Sequence, residues 1–336
     1  MNNRRISLII PVQNDQNLLH AVLDAILAQG IKPSELLVID SSDRAFEIDG
    51  AIRESFADVG IELRYLHSEP LNPGAARNLG VQQSTGELIA FLDVKTVPPP
   101  NWLEEAAMQV EYSAEMGAFG RTFYAANSRL EKWVRAATYG VNPIVTIPGS
   151  LFKREVFSIV GSFLPAIVAG EDTDWILRAR LHGLALSTSS PAKLTYVGLI
   201  GMKFSSLLSK WLRNYRACRD VPYLSDHKAI YLLLFNLLVI FVALNWNAAI
   251  AHWNESSPVY VSHITKLTVG TILVLYAGYR GFYLPMHRGV LASYLLPWQW
   301  VFVVGVGFAV DVVKVIAFLP SVKTMARRAR FAFLRE

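Results

Sequence analysis

A run of 23 residues without a charged side chain, AIYLLLFNLLVIFVALNWNAAIA (229–251), limits this chain more than any other feature. A hydrocarbon layer about 30 Å thick is crossed by about 20 residues of α-helix, and a helix satisfies its own backbone groups there. The run therefore predicts a membrane span. Residues 1–200 are different: they mix charged and apolar residues as water-soluble domains do. At 336 residues the chain has room for one large domain or two smaller ones.

A second, weaker span is predicted around LTVGTILVLYAGY (267–279), at about 261–280 with its flanks. The loop between the two, HWNESSPVY (252–260), has no Lys or Arg, whereas Arg280, His287 and Arg288 follow the second span. The positive-inside rule then puts the first loop outside and the second inside. A third apolar stretch, 290–319, is broken by Pro297, Gly305, Gly307, Asp311 and Lys314. It either crosses or is re-entrant. The re-entrant alternative is preferred, because it keeps the basic tail 321–336, with Lys323, Arg327, Arg328, Arg330 and Arg335, on the cytoplasmic side.

Ahead of the spans, residues 201–227 include KFSSLLSKWLRNYRACRD (203–220). Phe204, Leu207, Leu208, Trp211 and Leu212 recur at helical spacing, and Lys203, Lys210, Arg213, Arg216 and Arg219 surround them. This pattern predicts a basic amphipathic helix in the membrane interface, over the alternative of a surface helix with a core-facing stripe. The net charge is only +5, and the basic residues lie beside the apolar runs, which favours a membrane surface over nucleic acid as partner. The one cysteine, Cys218, excludes an internal disulfide and a cysteine zinc site. The start, MNNRRISLII, has too short an apolar stretch for a signal peptide, with Pro11 next, so the first 200 residues are expected in the cytoplasm, at the inner membrane.

Within 1–200, strands are predicted at 5–12, 34–43, 61–68 and 87–93, with helices at 17–29, 44–59 and 72–86 between them. Alternation of this kind gives an α/β domain with a mostly parallel wound sheet, whose ligands sit beyond the carboxyl ends of the strands. Asn14, Asp40, Ser42 and Asp93 fall at those ends. Further on, 128–139 reads as a helix, 149–163 as a loop or short strand followed by a helix, 170–183 as an amphipathic helix, and 190–198 as a strand.

These segments resemble the family-2 inverting glycosyltransferases of the GT-A fold, in the membrane-anchored bacterial form. SLIIPVQN (7–14) is similar to the family's opening strand, and LLVIDSSD (36–43) to its strand ending in an acidic turn. NPGAARNLGV (72–81) with GELIAFLD (86–93) and PPPNWLE (98–104) is similar to its central block, and GEDTDWILRARLHG (170–183) to its acidic catalytic helix. The resemblance covers about 5–200. It implies a hexosyltransferase-type enzyme that moves a sugar from a nucleotide donor to a hydroxyl of a lipid-linked or polysaccharide acceptor, with inversion, in cell-surface polysaccharide or glycolipid synthesis. A uridine donor fits a carboxylate that accepts from a base N–H. Asp40 would make that contact, with Pro11, Val12, Asn14 and Ser42 lining the pocket, unless it is a turn acid capping residues 42–44. Gly74 would open a helix from which Arg77 reaches the base or a phosphate. Asp172 would be the base that takes the acceptor proton, with Glu171 and Asp174 orienting or capping. Trp175 is either a floor for the acceptor or core. Gly149 and Ser150, in IPGSLF (147–152), would lie against the donor sugar, unless Gly149 is a plain turn glycine.

The family's strand end commonly reads Asp-x-Asp, with Mg or Mn bridging the carboxylates and the diphosphate. Here it reads Asp93-Val94-Lys95. Three alternatives follow. Lys95 reduces or removes the need for a metal; a metal still binds through Asp93; or activity is lost, leaving a silent nucleotide-sugar binder or scaffold in an assembly complex. A transport or assembly component with a vestigial soluble domain is a further alternative. LTYVGLIG (194–201) also lacks the histidine that many relatives carry after this strand.

Overall fold

The computed structural model describes residues 4–188, 192–219, 221, 224 and 228–318. The predicted tail at 321–336 and much of 220–227 lie outside the described residues. The chain divides into two compact units. One comprises Met1–Glu131 with Val141–Met202, the other Lys132–Gly140 with Lys203–Glu336.

The first unit is α/β, as the alternating pattern predicts. Strands β1 (Ile6–Val12), β2 (Glu35–Asp40), β3 (Glu62–His67) and β4 (Leu88–Phe91) pair in parallel in the order β3-β2-β1-β4. Helices α1 (Gln16–Leu27), α2 (Gly50–Asp58) and α3 (Pro73–Gln83) connect them. β2 and β4 are buried along their whole length, which is why they read as unbroken apolar runs. Their side chains alternate between two cores: Leu8, Ile10, Leu36 and Val38 pack on one face, and Ile9, Leu37, Ile39 and Phe91 on the other.

The sheet then turns mixed. After β5 (Thr96–Val97) and α4 (Trp102–Tyr112) come β6 (Gly117–Tyr124), α5 (Arg129–Thr138), β7 (Ile144–Lys153), α6 (Glu155–Val160), α7 (Glu171–Leu181), β8 (Leu186–Ser187) and β9 (Lys193–Tyr196). β7 runs antiparallel to both β4 and β6, and β5 antiparallel to β9, while β6 is parallel to β8 and β9.

Two predicted boundaries move. The helix expected over 44–59 begins only at Gly50, because the Asp49 side chain accepts from the Ala51 N–H at 2.9 Å and starts it there. The loop or short strand expected at 149–152 is part of a ten-residue strand, wedged between β4 and β6. β6 approaches it so closely that a Cβ on Gly120 would lie 2.0 Å from the Pro148 carbonyl oxygen.

One buried charge pins the base of the parallel sheet. Glu35, at the start of β2, is 0% exposed. Its Oε1 accepts from Ser7 Oγ at 2.6 Å, Thr85 N at 2.6 Å and Thr85 Oγ1 at 2.8 Å, and its Oε2 from Arg64 Nη1 at 3.1 Å. Burial pushes its carboxyl up, but these donors outweigh burial and hold it at about 2.

In the second unit, α8 (Phe204–Arg219) has the predicted basic amphipathic pattern, with Leu207 and Trp211 buried. It is followed by α9 (Lys228–Ala249), α10 (Ile264–Gly278), a π-helical turn at Tyr279–Tyr283 leading into α11 (Leu284–His287), then α12 (Ala292–Leu295) and α13 (Gln299–Phe318). Arg219 donates to the Ala317 carbonyl at 3.3 Å, and the Lys314 ammonium lies 5.4 Å from the centre of the Tyr215 ring, so α8 packs on the end of α13. Among the described residues, three helical stretches are long and apolar enough to cross a membrane: Ile230–Ala249, Ile264–His287 and Gln299–Phe318. The third is a continuous 20-residue helix, although Gly305, Gly307, Asp311 and Lys314 interrupt its apolar sequence. Its Asp311 accepts from Arg280 Nε at 2.8 Å and from the Tyr276 hydroxyl at 2.9 Å, and Arg280 Nη2 donates to the Gly307 carbonyl at 3.0 Å. A side chain at Gly307 would press on that guanidinium.

Candidate active site

The carboxyl ends of β1 and β2 are knitted to each other. Asn14, in the left-handed region at φ 56°, donates its backbone N–H to Ser42 Oγ at 2.8 Å. Its side chain exchanges 3.3 Å contacts with Asp43. Asp40, at the end of β2, is 0% exposed. One of its oxygens accepts from Ser42 N at 3.0 Å and the other from the Tyr65 hydroxyl at 2.6 Å. Burial, with Asp40 beside it, pushes the Tyr65 hydroxyl up to about 12. Asp40 is thus enclosed and already accepts two protein donors, one of them the Ser42 N–H of the turn that the capping alternative named. A ligand contact there requires the surrounding side chains to move. Pro11 is half-buried, Val12 and Ser42 are buried, and Asn14 is exposed on the same rim.

The next strand end holds the charges. Gly74 begins α3 against Leu164 and Glu171: a Cβ on it would lie 2.7 Å from the Leu164 carbonyl oxygen and 3.2 Å from Glu171 Cγ. That close approach brings α3 against the start of α7. Arg77, one turn further on and 3% exposed, donates from Nη1 to Glu171 Oε1 at 2.7 Å and from Nη2 to Asp93 Oδ1 at 3.1 Å. Its Nε is buried without a hydrogen-bond partner among the described residues. Burial alone would lower the guanidinium, but Asp93, Glu171 and Asp172 hold it above its ordinary value. Burial raises the Glu171 carboxyl against the pull of Arg77, and Asp172 adds to the rise.

Asp172 is half-buried, and its Oδ1 accepts from the Thr173 N–H at 2.7 Å. Three acids in the first turn of α7 also suit the positive end of a helix. Glu171 and Asp172 act electrostatically on Arg77 from there. Asp174 is 0% exposed and locks Arg178 at 3.0 and 2.7 Å. Trp175 is also 0% exposed; its ring stacks on Phe163 at 5.3 Å and its indole N–H donates to the Gly161 carbonyl at 3.0 Å. Neither presents a surface to a donor or acceptor: Trp175 takes the core alternative, and Asp174 orients Arg178. Gly149 and Ser150 present none either, and are corrected to core roles. Gly149 is buried at φ 86°, where a Cβ would meet Leu194 Cδ1 at 2.5 Å. The buried Ser150 hydroxyl accepts from Gly120 N at 3.0 Å and donates to the Thr146 carbonyl at 2.9 Å.

Lys95 lies beyond β4, and its ammonium is 2.6 Å from Asp15 Oδ2. Asp15 occupies the N-cap position of α1 yet makes no capping hydrogen bond there; its carboxylate turns to Lys95 instead. Tyr196, at the end of β9, is raised by burial, with Lys95 pulling it down and Asp93 and Asp15 pushing it up, so these four groups share one neighbourhood. Asp15 and Tyr65 are the residues that sequence reasoning missed. Asp15 reads as an ordinary helix cap, and the one available signal was a lysine at a strand end where an acid was expected.

Residues 7–162 match the family model for Glycosyl transferase family 2. This part of the chain is a family-2 glycosyltransferase domain. Among curated relatives, the chain is 26% identical over 196 residues to glycosyltransferase AglE of Haloferax volcanii, covering 54% of this chain and 63% of that protein. It is 29% identical over 118 residues to glycosyltransferase GlyA of Streptococcus pneumoniae, covering 33% and 16%. Over 221 residues it is 25% identical to the O-antigen biosynthesis protein RfbC of Myxococcus xanthus, covering 57% and 17%. The matches thus span less than two thirds of these relatives' own lengths. The mannosyltransferase PcManGT of Pyrobaculum calidifontis, solved in complex with GDP-Man and Mn2+, shares the GT-A fold with the family-2 chain at a TM-score of 0.51 and 18% identity, covering 93% of this chain and 87% of that one.

Proposed function

We propose that the protein is an inverting glycosyltransferase that moves a sugar from a nucleotide-sugar donor, UDP-linked, to a hydroxyl of a lipid-linked or polysaccharide acceptor at a membrane. The Arg77 bridge carries this reading. One guanidinium joins Asp93, at the strand end where GT-A domains hold a donor diphosphate, to Glu171, next to Asp172. A donor bound at that rim therefore has a free carboxylate nearby.

In the reaction the acceptor oxygen forms a bond to the anomeric carbon as the bond to the diphosphate oxygen breaks, with the electron pair leaving on the diphosphate. Asp172 takes the acceptor proton. Its half-buried carboxylate suits a base better than its neighbours do, since Glu171 is bound to Arg77 and Asp174 to Arg178. The three apolar helices serve as anchor, α8 as an interfacial helix, and the domain works on the cytoplasmic face.

The test is a panel of nucleotide sugars incubated with the full-length protein in detergent and with membrane extract as acceptor source. Transfer from at least one donor, lost in Asp172→Asn, is expected. Undiminished transfer by Asp172→Asn sinks the assignment of the base, and no transfer from any donor sinks the enzyme reading.

A further inference from the structure

The divalent cation that GT-A domains hold at this strand end does not suit the groups of this chain. Asp93 stands alone where the family pattern has two carboxylates, and one of its oxygens is 3.1 Å from the Arg77 guanidinium. The second position is Lys95, already beside Asp15. Among the described residues no three His, Cys, Asp or Glu side chains gather where they could hold a metal ion. A cation seated at Asp93 faces the guanidinium of Arg77 and the ammonium of Lys95, and like charges at such range repel strongly at an interior rim.

Lys95 is built to act in the other direction. An ammonium has three N–H donors. Asp15 takes one, and the other two have no partner among the described residues. The side chain is 26% exposed, so a ligand can reach it. Asp15, having given up its capping bond, anchors the ammonium from beneath and fixes where the free donors stand.

We propose that Lys95 stands in for the divalent cation, donating hydrogen bonds to the diphosphate of the nucleotide donor, so that nucleotide binding and sugar transfer need no metal. The inference rests on the reading of this rim as a nucleotide-sugar site. As the bond from the anomeric carbon to the diphosphate oxygen breaks, the electron pair leaves negative charge on that oxygen, and the ammonium offsets part of it without giving up its proton.

Isothermal titration calorimetry of UDP and GDP against the purified full-length protein tests this, once with EDTA and once with Mn2+. The dissociation constant with EDTA is expected within about twofold of that with Mn2+. Lys95→Met should weaken binding by about 10- to 100-fold in both buffers, the worth of hydrogen bonds to a charged group. Lys95→Arg should recover most of it, with melting temperatures checking that each variant is folded. Binding that appears only with Mn2+ overturns the inference and leaves the nucleotide-sugar reading standing. So does a folded Lys95→Met that binds as the wild type does. If neither nucleotide binds in either buffer, the nucleotide-sugar reading itself falls and takes the inference with it. The wild-type comparison decides the matter even if a variant fails to fold.

Discussion

Arg77 Nη1 lies 2.7 Å from Glu171 Oε1, and this contact fastens the helix after β3 to the first turn of the acidic helix. Both side chains are almost wholly buried, and Arg77 also holds Asp93. Removing the arginine leaves two carboxylates facing each other without a counter-charge. Arg77→Met is expected to destabilise the protein by about 3–5 kcal/mol. Arg77→Met with Glu171→Leu should recover part of that loss. Denaturant titration of the detergent-solubilised protein measures both.

Among the described residues Asp172 has no ion-pair partner at hydrogen-bonding distance, so its loss should cost the fold little. Asp172→Asn is expected to lower kcat by about 10²- to 10⁴-fold, with nucleotide affinity and melting temperature close to wild type. Steady-state transfer assays and calorimetry separate the two effects. A variant that loses nucleotide affinity in proportion to kcat contradicts the role of a base.

Glu35 gives the fold an acid limit. Its folded carboxyl titrates at about 2, below its ordinary 4.5. The stability it provides is therefore complete above about pH 4.5 and is lost as pH falls towards 2. The effect should be on the order of 2 kcal/mol, moderated because its partner Arg64 is 28% exposed. Glu35→Gln should be less stable than wild type at pH 7, with the difference shrinking as the buffer is acidified. Denaturation curves from pH 7 to pH 3 check this.

Gly149 is held at φ 86° against Leu194. Gly149→Ala should cost about 1–3 kcal/mol from backbone strain and overpacking. Donor preference should stay unchanged, since the residue is buried away from ligands. Gly149→Ala with Leu194→Ala relieves the clash but not the strain, and because Leu194 is itself 0% exposed in the core its truncation adds about 2–5 kcal/mol, so the double variant should be no more stable than Gly149→Ala alone. Melting temperatures and a donor panel distinguish this from a role against the sugar.

The parallel half of the fold was legible because β1, β2 and β4 are covered on both faces, so burial itself wrote their apolar runs into the sequence. The close approach at Gly74 was legible for a related reason: a proline-glycine helix start has few structural uses beyond one. β6 and β7 were harder to see. They run antiparallel in the middle of a mixed sheet, and their pattern depends on Gly117 and Gly120 fitting under Phe152 and Pro148, a contact between segments about thirty residues apart. Asp174, Trp175 and Ser150 were polar or aromatic residues beside catalytic-looking ones, and sequence adjacency cannot tell a side chain aimed at the core from one aimed at a cleft. Asp40 was correctly found at a strand end, but the Tyr65 hydroxyl that covers it comes from the neighbouring strand, outside any local pattern.

Arg280 and Asp311 belong to different apolar helices, α10 with its π-helical extension and α13, and each side chain answers the other's charge. Taken singly, either helix is a poor solute for lipid, because a charge left unanswered within an apolar span costs up to about 2.5–3.5 kcal/mol on insertion scales. Together they are neutral. These two segments should accordingly enter the bilayer as a matched hairpin, and a truncation ending before residue 299 would strand an arginine in oil.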